Sequence, residues 1–223
     1  MKKPVIAIDG YSSTGKSSIS KIIAEKLGIV HLDTGALYRG ITWFALQNCL
    51  NDDETINLTD LFSSFPIIEL EFKNDNGELV LFLNHINVSK EIRSNEVSKN
   101  VSFIAKQKEV RDFLLASQRN LAQKGGIIMD GRDIGTVVLP NADFKFFLTA
   151  SIEERTKRRY QELLNLGIDA DEKNVKENLI ARDKIDSERE IAPLKQAEDA
   201  IVIDNTMLTK KETIESILAY LKK

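Results

Sequence analysis

The segment Gly10-Tyr11-Ser12-Ser13-Thr14-Gly15-Lys16-Ser17 constrains this chain more than any other, because it fills every specified position of G-x-x-x-x-G-K-S/T. Its context strengthens it. Before it, Val5-Ile6-Ala7-Ile8 is a short apolar, β-branched run stopped by Asp9-Gly10, the pattern of a strand buried on both faces in a parallel sheet. After it, Ile19, Ile22, Ile23 and Leu27 recur at helical spacing and Gly28 supplies the stop. The loop therefore joins a strand to a helix. Glycines let the backbone curl so that successive N–H groups point at phosphate oxygens. Lys16 neutralises the β- and γ-phosphates, Ser17 Oγ can ligate Mg²⁺, and the helix dipole adds to the same field. The expected ligand is a nucleoside triphosphate such as ATP.

The rest of the chain repeats the strand and helix alternation. Ile29 to Leu32 reads as a second strand and Thr34 to Asn48 as a helix. Ile127-Ile128-Met129-Asp130, Phe144 to Ala150 and Ile201 to Asp204 read as three more strands. Ser151-Ile152-Glu153-Glu154 and Thr209-Lys210-Lys211-Glu212 have the spacing of capping boxes that open helices. Between Ile67 to Phe72 and Glu78 to Leu83 lies Asn74-Asp75-Asn76-Gly77, a hairpin signature. The expected fold is α/β, a P-loop NTPase with a five-stranded parallel sheet and helices on both faces, plus a small antiparallel insert. We read one domain over 1–223, with its core at 1–62, 98–154 and 191–223, the insert over about 63–97, and a helical excursion over about 155–190.

Composition narrows the partners. Hydrophobic residues at 42% and charged residues at 29% exclude a disordered or fibrous chain. With 31 Lys and Arg against 34 Asp and Glu the net charge is -3, so no global positive field draws the protein onto nucleic acid or anionic membrane. Lys2 and Lys3 are followed by too short an apolar run for an export signal, and no stretch reaches the roughly 20 apolar residues of a membrane span. The lone Cys49 sits in an apolar stretch and reads as a small buried thiol. A cytoplasmic monomer is expected. His31 and His85 have no ligand-type spacing and read as structural.

A phosphate loop does not by itself separate kinases from GTPases or motor ATPases. The chain lacks an N-K-x-D guanine motif and a D-x-x-G switch, which favours a small-molecule kinase. Asp130, at the end of its strand, is placed to hold Mg²⁺ or its waters; the other reading is a strand-terminal turn carboxylate. Arg155, Arg158 and Arg159 fall on one helix face at i, i+3 and i+4. A bare charge run of this kind also reads as a solvated face, and only the phosphate loop elsewhere turns the reading toward a closing lid. Phosphoryl transfer between two anionic nucleotides demands several fixed cations, because charge on the transferred group must be offset while water is excluded.

Four blocks together resemble the bacterial cytidylate kinase family. They are Ile8 to Lys16, Leu32-Asp33-Thr34-Gly35-Ala36-Leu37-Tyr38-Arg39, Asp130-Gly131-Arg132-Asp133-Ile134-Gly135-Thr136-Val137-Val138, and Arg182-Asp183 through Ala192-Pro193-Leu194. The match runs nearly end to end, and its second and third blocks are more specific than the phosphate loop. The resemblance implies a Mg²⁺-dependent enzyme that moves the γ-phosphate of ATP directly onto CMP or dCMP, with Gly10 through Ser18 on the donor. It implies that Arg39 and Arg132 grip the acceptor phosphate, that Asp33, Thr34 and Tyr38 shape its pocket, and that Ser102, Arg111 and Asp133 read cytosine. By the same resemblance Arg182, Asp186 and Arg189 meet ribose and phosphates, and Arg155, Arg158 and Arg159 lie in a mobile lid. Lys16, Arg132, Arg155, Arg159, Arg182 and Arg189 are then the catalytic cations. Three positions depart from the family pattern. Tyr11 stands where Pro is usual, Ser17 where Gly is common, and Lys108 where Pro often precedes the segment of Arg111. Ser17 and Ser18 both offer a hydroxyl to the metal. UMP, AMP or shikimate as acceptor, and a nucleotide-binding switch that phosphorylates nothing, are the alternatives.

Overall fold

The computed structural model describes residues 3–75 and 78–221. From the amino terminus the chain forms β1 (Val5–Gly10), α1 (Lys16–Leu27), β2 (Val30–Asp33) and α2 (Thr34–Asn48). It continues through α3 (Leu58–Ser63), β3 (Leu70–Asp75), β4 (Glu78–Leu83), β5 (Ile86–Asn87), α4 (Asn95–Ala105) and α5 (Lys108–Ala122). Then come β6 (Ile127–Gly131), β7 (Phe144–Thr149), α6 (Ile152–Asn165), α7 (Glu172–Glu188), β8 (Ile201–Asp204) and α8 (Lys210–Leu221). These elements fall into two units, one built from the chain up to Leu32 and from Leu121 onward, the other from Asp33–Asn120.

The first unit holds the expected five-stranded parallel sheet, in the order β2-β6-β1-β7-β8. After β1 the chain crosses to β2, returns to β6, and then moves to β7 and β8 on the other side. The order therefore reverses at β1, and in sheets of this kind ligands bind outside the carboxyl ends of the strands at such a reversal. The register places Ile8 opposite Asp130 and Gly10 opposite Leu148, so the phosphate loop and Asp130 leave the same sheet end. Central strands β1 and β6 are almost wholly buried, which is why they read as continuous apolar runs. Ile6, Ile8, Ile128, Phe146 and Leu148 of the sheet pack with Ile19 and Ile23 of α1 and Ile214 and Ile217 of α8. Each such fully buried side chain contributes about 1.5–3 kcal/mol relative to exposure. A smaller cluster of Leu163, Val175 and Leu179 holds α6 against α7.

The second unit packs α2, α4 and α5 with an antiparallel sheet in the order β3-β4-β5. Its register pairs Leu70 with Leu83 and Phe72 with Leu81, so the apolar positions of the alternation share a face. That face lies close on α2: a Cβ at Gly40 would come within 2.9 Å of a Leu81 methyl and 3.0 Å of one from Leu70. The hairpin strands flank the expected turn, of which Asn76 and Gly77 lie outside the described residues. β3 begins later than Ile67 because Phe65–Ile67 forms a short 3₁₀ turn opened by Pro66, whose fixed φ favours that conformation. Cys49 is buried, and burial pushes its thiol pKa up.

The two capping boxes differ. At α8 both arms form, with Glu212 N–H donating to Thr209 Oγ1 at 3.2 Å and Thr209 N–H to Glu212 Oε2 at 2.8 Å. At α6 only one forms. Ser151 Oγ accepts from Glu154 N–H at 3.3 Å, but Glu154 Oε1 is taken by Arg158 at 3.0 Å and Ser151 N–H donates to Thr206 Oγ1. A guanidinium is the stronger donor and wins the carboxylate.

Candidate active site

Gly10 ends β1 at φ 146°, and a Cβ there would lie 2.0 Å from the Leu148 carbonyl oxygen, so this position excludes any side chain. The loop then turns through Ser13 at φ 60° and reaches α1 with Gly15 as its N-cap. As a glycine, Gly15 offers this 12-residue helix no side-chain cap, and no acidic residue sits in its first turn. Its leading N–H groups remain available to an anion. The two hydroxyls offered by Ser17 and Ser18 go to different places. Ser17 Oγ donates to Asp130 Oδ2 at 2.6 Å, whereas Ser18 Oγ turns back to the Gly15 carbonyl at 3.1 Å.

Lys16 is buried and folded onto its own loop, donating to the carbonyls of Gly10 at 2.7 Å and Tyr11 at 2.6 Å. Burial, and next the positive charge of Arg132, push its pKa down to about 7. Asp9 anchors the segment that follows β6, accepting from the N–H groups of Ile134 at 2.8 Å and Gly135 at 2.7 Å. Burial raises its pKa to about 6 against the pull of those two amides.

Arginines and carboxylates of the same unit interleave around this loop. Arg132 donates to Ser12 Oγ at 2.7 Å and to Asp186 Oδ2 at 2.9 Å. Burial opposes its charge, yet Asp186 leaves the guanidinium above its ordinary range. Asp186 is itself buried, and Arg132, Arg182 and Arg189 outweigh that burial to hold its carboxyl below the usual value. Arg182 is buried with an Nε that has no hydrogen-bond partner among the described residues. Burial first, then Arg132, lower its pKa to about 10, and Arg159 adds to the effect. Arg189 donates to the Ala192 carbonyl at 2.7 Å and to Asp133 Oδ1 at 3.2 Å. Lys16, Arg132 and Arg182 thus crowd like charges into a water-poor place, an arrangement that an anion would relieve.

The basic run on α6 divides in three. Arg155 is buried, donating to the carbonyls of Ala150 and Ser12 and to Asp183 Oδ2 at 2.5 Å, with its guanidinium 5.1 Å from the centre of the Tyr11 ring. Tyr11 also meets Phe147 edge-on. Arg158 donates to Glu154, to Asn205 and to the Thr14 carbonyl. Arg159 donates to Glu162 at 2.8 Å.

In the second unit, Asp33 precedes α2, and Thr34, Tyr38, Ser102 and Arg111 are buried. The Arg111 guanidinium lies 5.4 Å from the Tyr38 ring centre and donates to the Ala105 carbonyl. Arg39 donates to the Ile92 carbonyl and to Ser98 Oγ, both at 3.0 Å.

Sequence reading missed Asp9, Asp183, Asn205, Ser98 and His31. Asp9 lies near the end of buried β1 and Asn205 directly follows the edge strand β8, positions that mark the sheet end where ligands bind. Asp183 and Ser98 carried no such signal. His31, read as structural, places Nε2 2.6 Å from Asp130 Oδ1.

The family model described as cytidylate kinase matches residues 6–223. A cytidylate kinase of Streptococcus pneumoniae strain 70585 is 47% identical over 224 residues, covering 100% of this chain and 99% of its own length. That of strain Hungary19A-6 is also 47% identical over the same span. Among solved structures, an uncharacterized protein from Eubacterium ventriosum ATCC 27560 aligns over 99% of both chains with a TM-score of 0.53 at 16% identity. A gluconokinase from Sinorhizobium meliloti 1021 aligns over 100% of this chain and 94% of its own with a TM-score of 0.50, again at 16% identity. Those two likenesses speak to the fold alone. With the phosphate loop, the carboxylate beside it and a family match over nearly all its length, the chain belongs to the cytidylate kinase family.

Proposed function

We propose that the protein transfers the γ-phosphoryl group of ATP directly to CMP and dCMP, giving the diphosphates. The observation that carries this reading is the buried cluster of Lys16, Arg132 and Arg182 beside an uncapped helix N-terminus. The acceptor is already a phosphate oxyanion, so no general base is required. Positioning and charge stabilisation supply the rate. Gly10 through Ser18 hold the triphosphate, and Lys16 exchanges its loop carbonyls for phosphate oxygens. Arg132, Arg182 and Arg189 offset the charge on the transferred group, with Arg159 adding to the field. Arg155 acts through the loop that it braces.

Mg²⁺ fits the residues present. Ser17 Oγ and the Asp130 carboxylate are hard oxygen donors held 2.6 Å apart, and this ion characteristically takes one or two protein carboxylates with the remainder from phosphates and water. Those two residues would hold it, directly or through water. When bound, it supplies neutralisation at the β- and γ-phosphate oxygens.

For the acceptor, the candidate CMP-binding residues are Arg132, Asp133, Arg182, Asp186 and Arg189 in the first unit, and Asp33, Thr34, Tyr38, Arg39, Ser102 and Arg111 in the second. A carboxylate at Asp133 accepts from the exocyclic amine of cytosine, where uracil would turn a carbonyl oxygen toward it. A site built on such a bond rejects the wrong base strongly. We read the protein as a cytoplasmic monomer, and sedimentation of the purified protein tests the oligomeric state.

The test is to incubate the protein with Mg-ATP and CMP, dCMP, UMP, AMP or shikimate singly and to follow each acceptor by phosphorus NMR. CMP and dCMP should gain a phosphate. ATP hydrolysis with no phosphorylated acceptor would establish the switch reading instead.

A further inference from the structure

His31 lies on β2, an edge strand whose neighbour in the sheet is β6, the strand that delivers Asp130. Along β2, Leu32 is buried, while the His31 side chain keeps 17% of its surface exposed and meets Asp130, whose side chain is 3% exposed. The two oxygens of Asp130 meet different partners. Oδ2 accepts from Ser17 Oγ at 2.6 Å, and Oδ1 lies 2.6 Å from His31 Nε2. An ionised carboxylate only accepts, so the imidazole presents Nε2–H to it.

We propose that His31 is a positioning residue for the Ser17–Asp130 pair, holding the Asp130 carboxylate in the orientation that presents its oxygen together with the Ser17 hydroxyl to a divalent cation. The inference rests on the Mg²⁺ reading of that pair and goes beyond it by giving a role to a side chain on another strand. The physical argument is one of rotational freedom. A carboxylate fixed at one oxygen only can swing about its Cβ–Cγ bond. A second hydrogen bond from a rigid ring on the neighbouring strand removes that freedom before the ligand arrives. Partners that orient metal ligands in this way typically account for about 10–100-fold in metal affinity.

The test is calorimetric binding of ADP, once with excess Mg²⁺ and once with EDTA, to the wild-type protein, His31→Phe and His31→Gln. Phe keeps the ring shape without a donor, and Gln places an amide N–H near the position of Nε2. In His31→Phe the Mg²⁺-dependent tightening of ADP should shrink by about 10-fold, with the affinity in EDTA within about twofold of wild type. His31→Gln should restore most of the tightening. Equal weakening with and without Mg²⁺ would make His31 a merely structural residue and overturn the proposal, as would unchanged Mg²⁺ dependence in His31→Phe. If the wild type itself binds ADP equally with Mg²⁺ and EDTA, the metal reading of Ser17 and Asp130 fails first, and this inference with it. Should His31→Phe fold poorly, His31→Asn, whose shorter amide falls away from Oδ1, takes its place under the same criteria.

Discussion

Arg155 and Arg158 of α6 and Arg182 of α7 belong to one unit and one residue type, yet they are neutralised to different degrees. Arg155 and Arg158 are tied to carboxylates and loop carbonyls, so they brace the phosphate loop from behind. Arg182 has an Nε without a partner among the described residues and a neighbouring guanidinium, Arg132, that works against its charge. A satisfied cation contributes to stability, whereas a frustrated one is held ready for a ligand. Most of the run that stands out in the sequence is tied up behind the loop, and the least satisfied guanidinium, that of Arg182, is one that no run announces.

The largest expected effect separates the two sets. Arg182→Met should lower turnover of CMP by about 10²–10³-fold, the usual loss when one preorganised donor to a developing charge is removed. Its melting temperature should change little, since the like-charge contact with Arg132 that disappears offsets the lost attraction to Asp186 and Asp183. A large drop in melting temperature would erase the distinction. Next in size, Arg155→Met should cost about 3 kcal/mol of stability, because the largely buried Asp183 carboxylate loses its hydrogen-bonded charge partner. Denaturant unfolding measures this, and an unchanged midpoint would show that the brace carries no load.

A smaller effect concerns Lys16. Its pKa of about 7 in the folded protein lies below the ordinary 10.5, so between those values the unfolded chain carries one more proton than the folded one. Stability from this group is therefore lowest below pH 7 and rises through that window. Phosphate oxygens of a bound nucleotide restore the charged form, so at pH 8 ADP should bind with uptake of up to about one proton. Calorimetry in buffers of different ionisation heat reads this directly. Heats independent of buffer would contradict it, and Lys16→Met should abolish the uptake.

Much of the fold was legible because its signals are local. β1 and β6 read as strands since both faces are buried, and α1 read as a helix since Ile19 and Ile23 share a face. The two-residue strand β5 and the short α3 carried no periodicity long enough to register. The capping box at Ser151 was half right because Arg158, which claims Glu154, was known only as part of a charge run. His31 was read as structural because a lone histidine has no spacing to argue from, and its partner lies 99 residues away.

What the amino-acid order determined unaided is the strand, loop and helix that cradle phosphate, together with the α/β alternation around them. Glycine conformation, apolar periodicity and helix capping act over a few consecutive residues, so the chain itself states them. Tertiary structure alone decided which cations are quenched and which are not: Arg132 finds Asp186 and Arg155 finds Asp183, while Arg182 is set against Arg132. The reason is electrostatic. The free energy of a buried charge depends on its neighbours within a few ångströms and on the water excluded around it, and neither can be read along the chain.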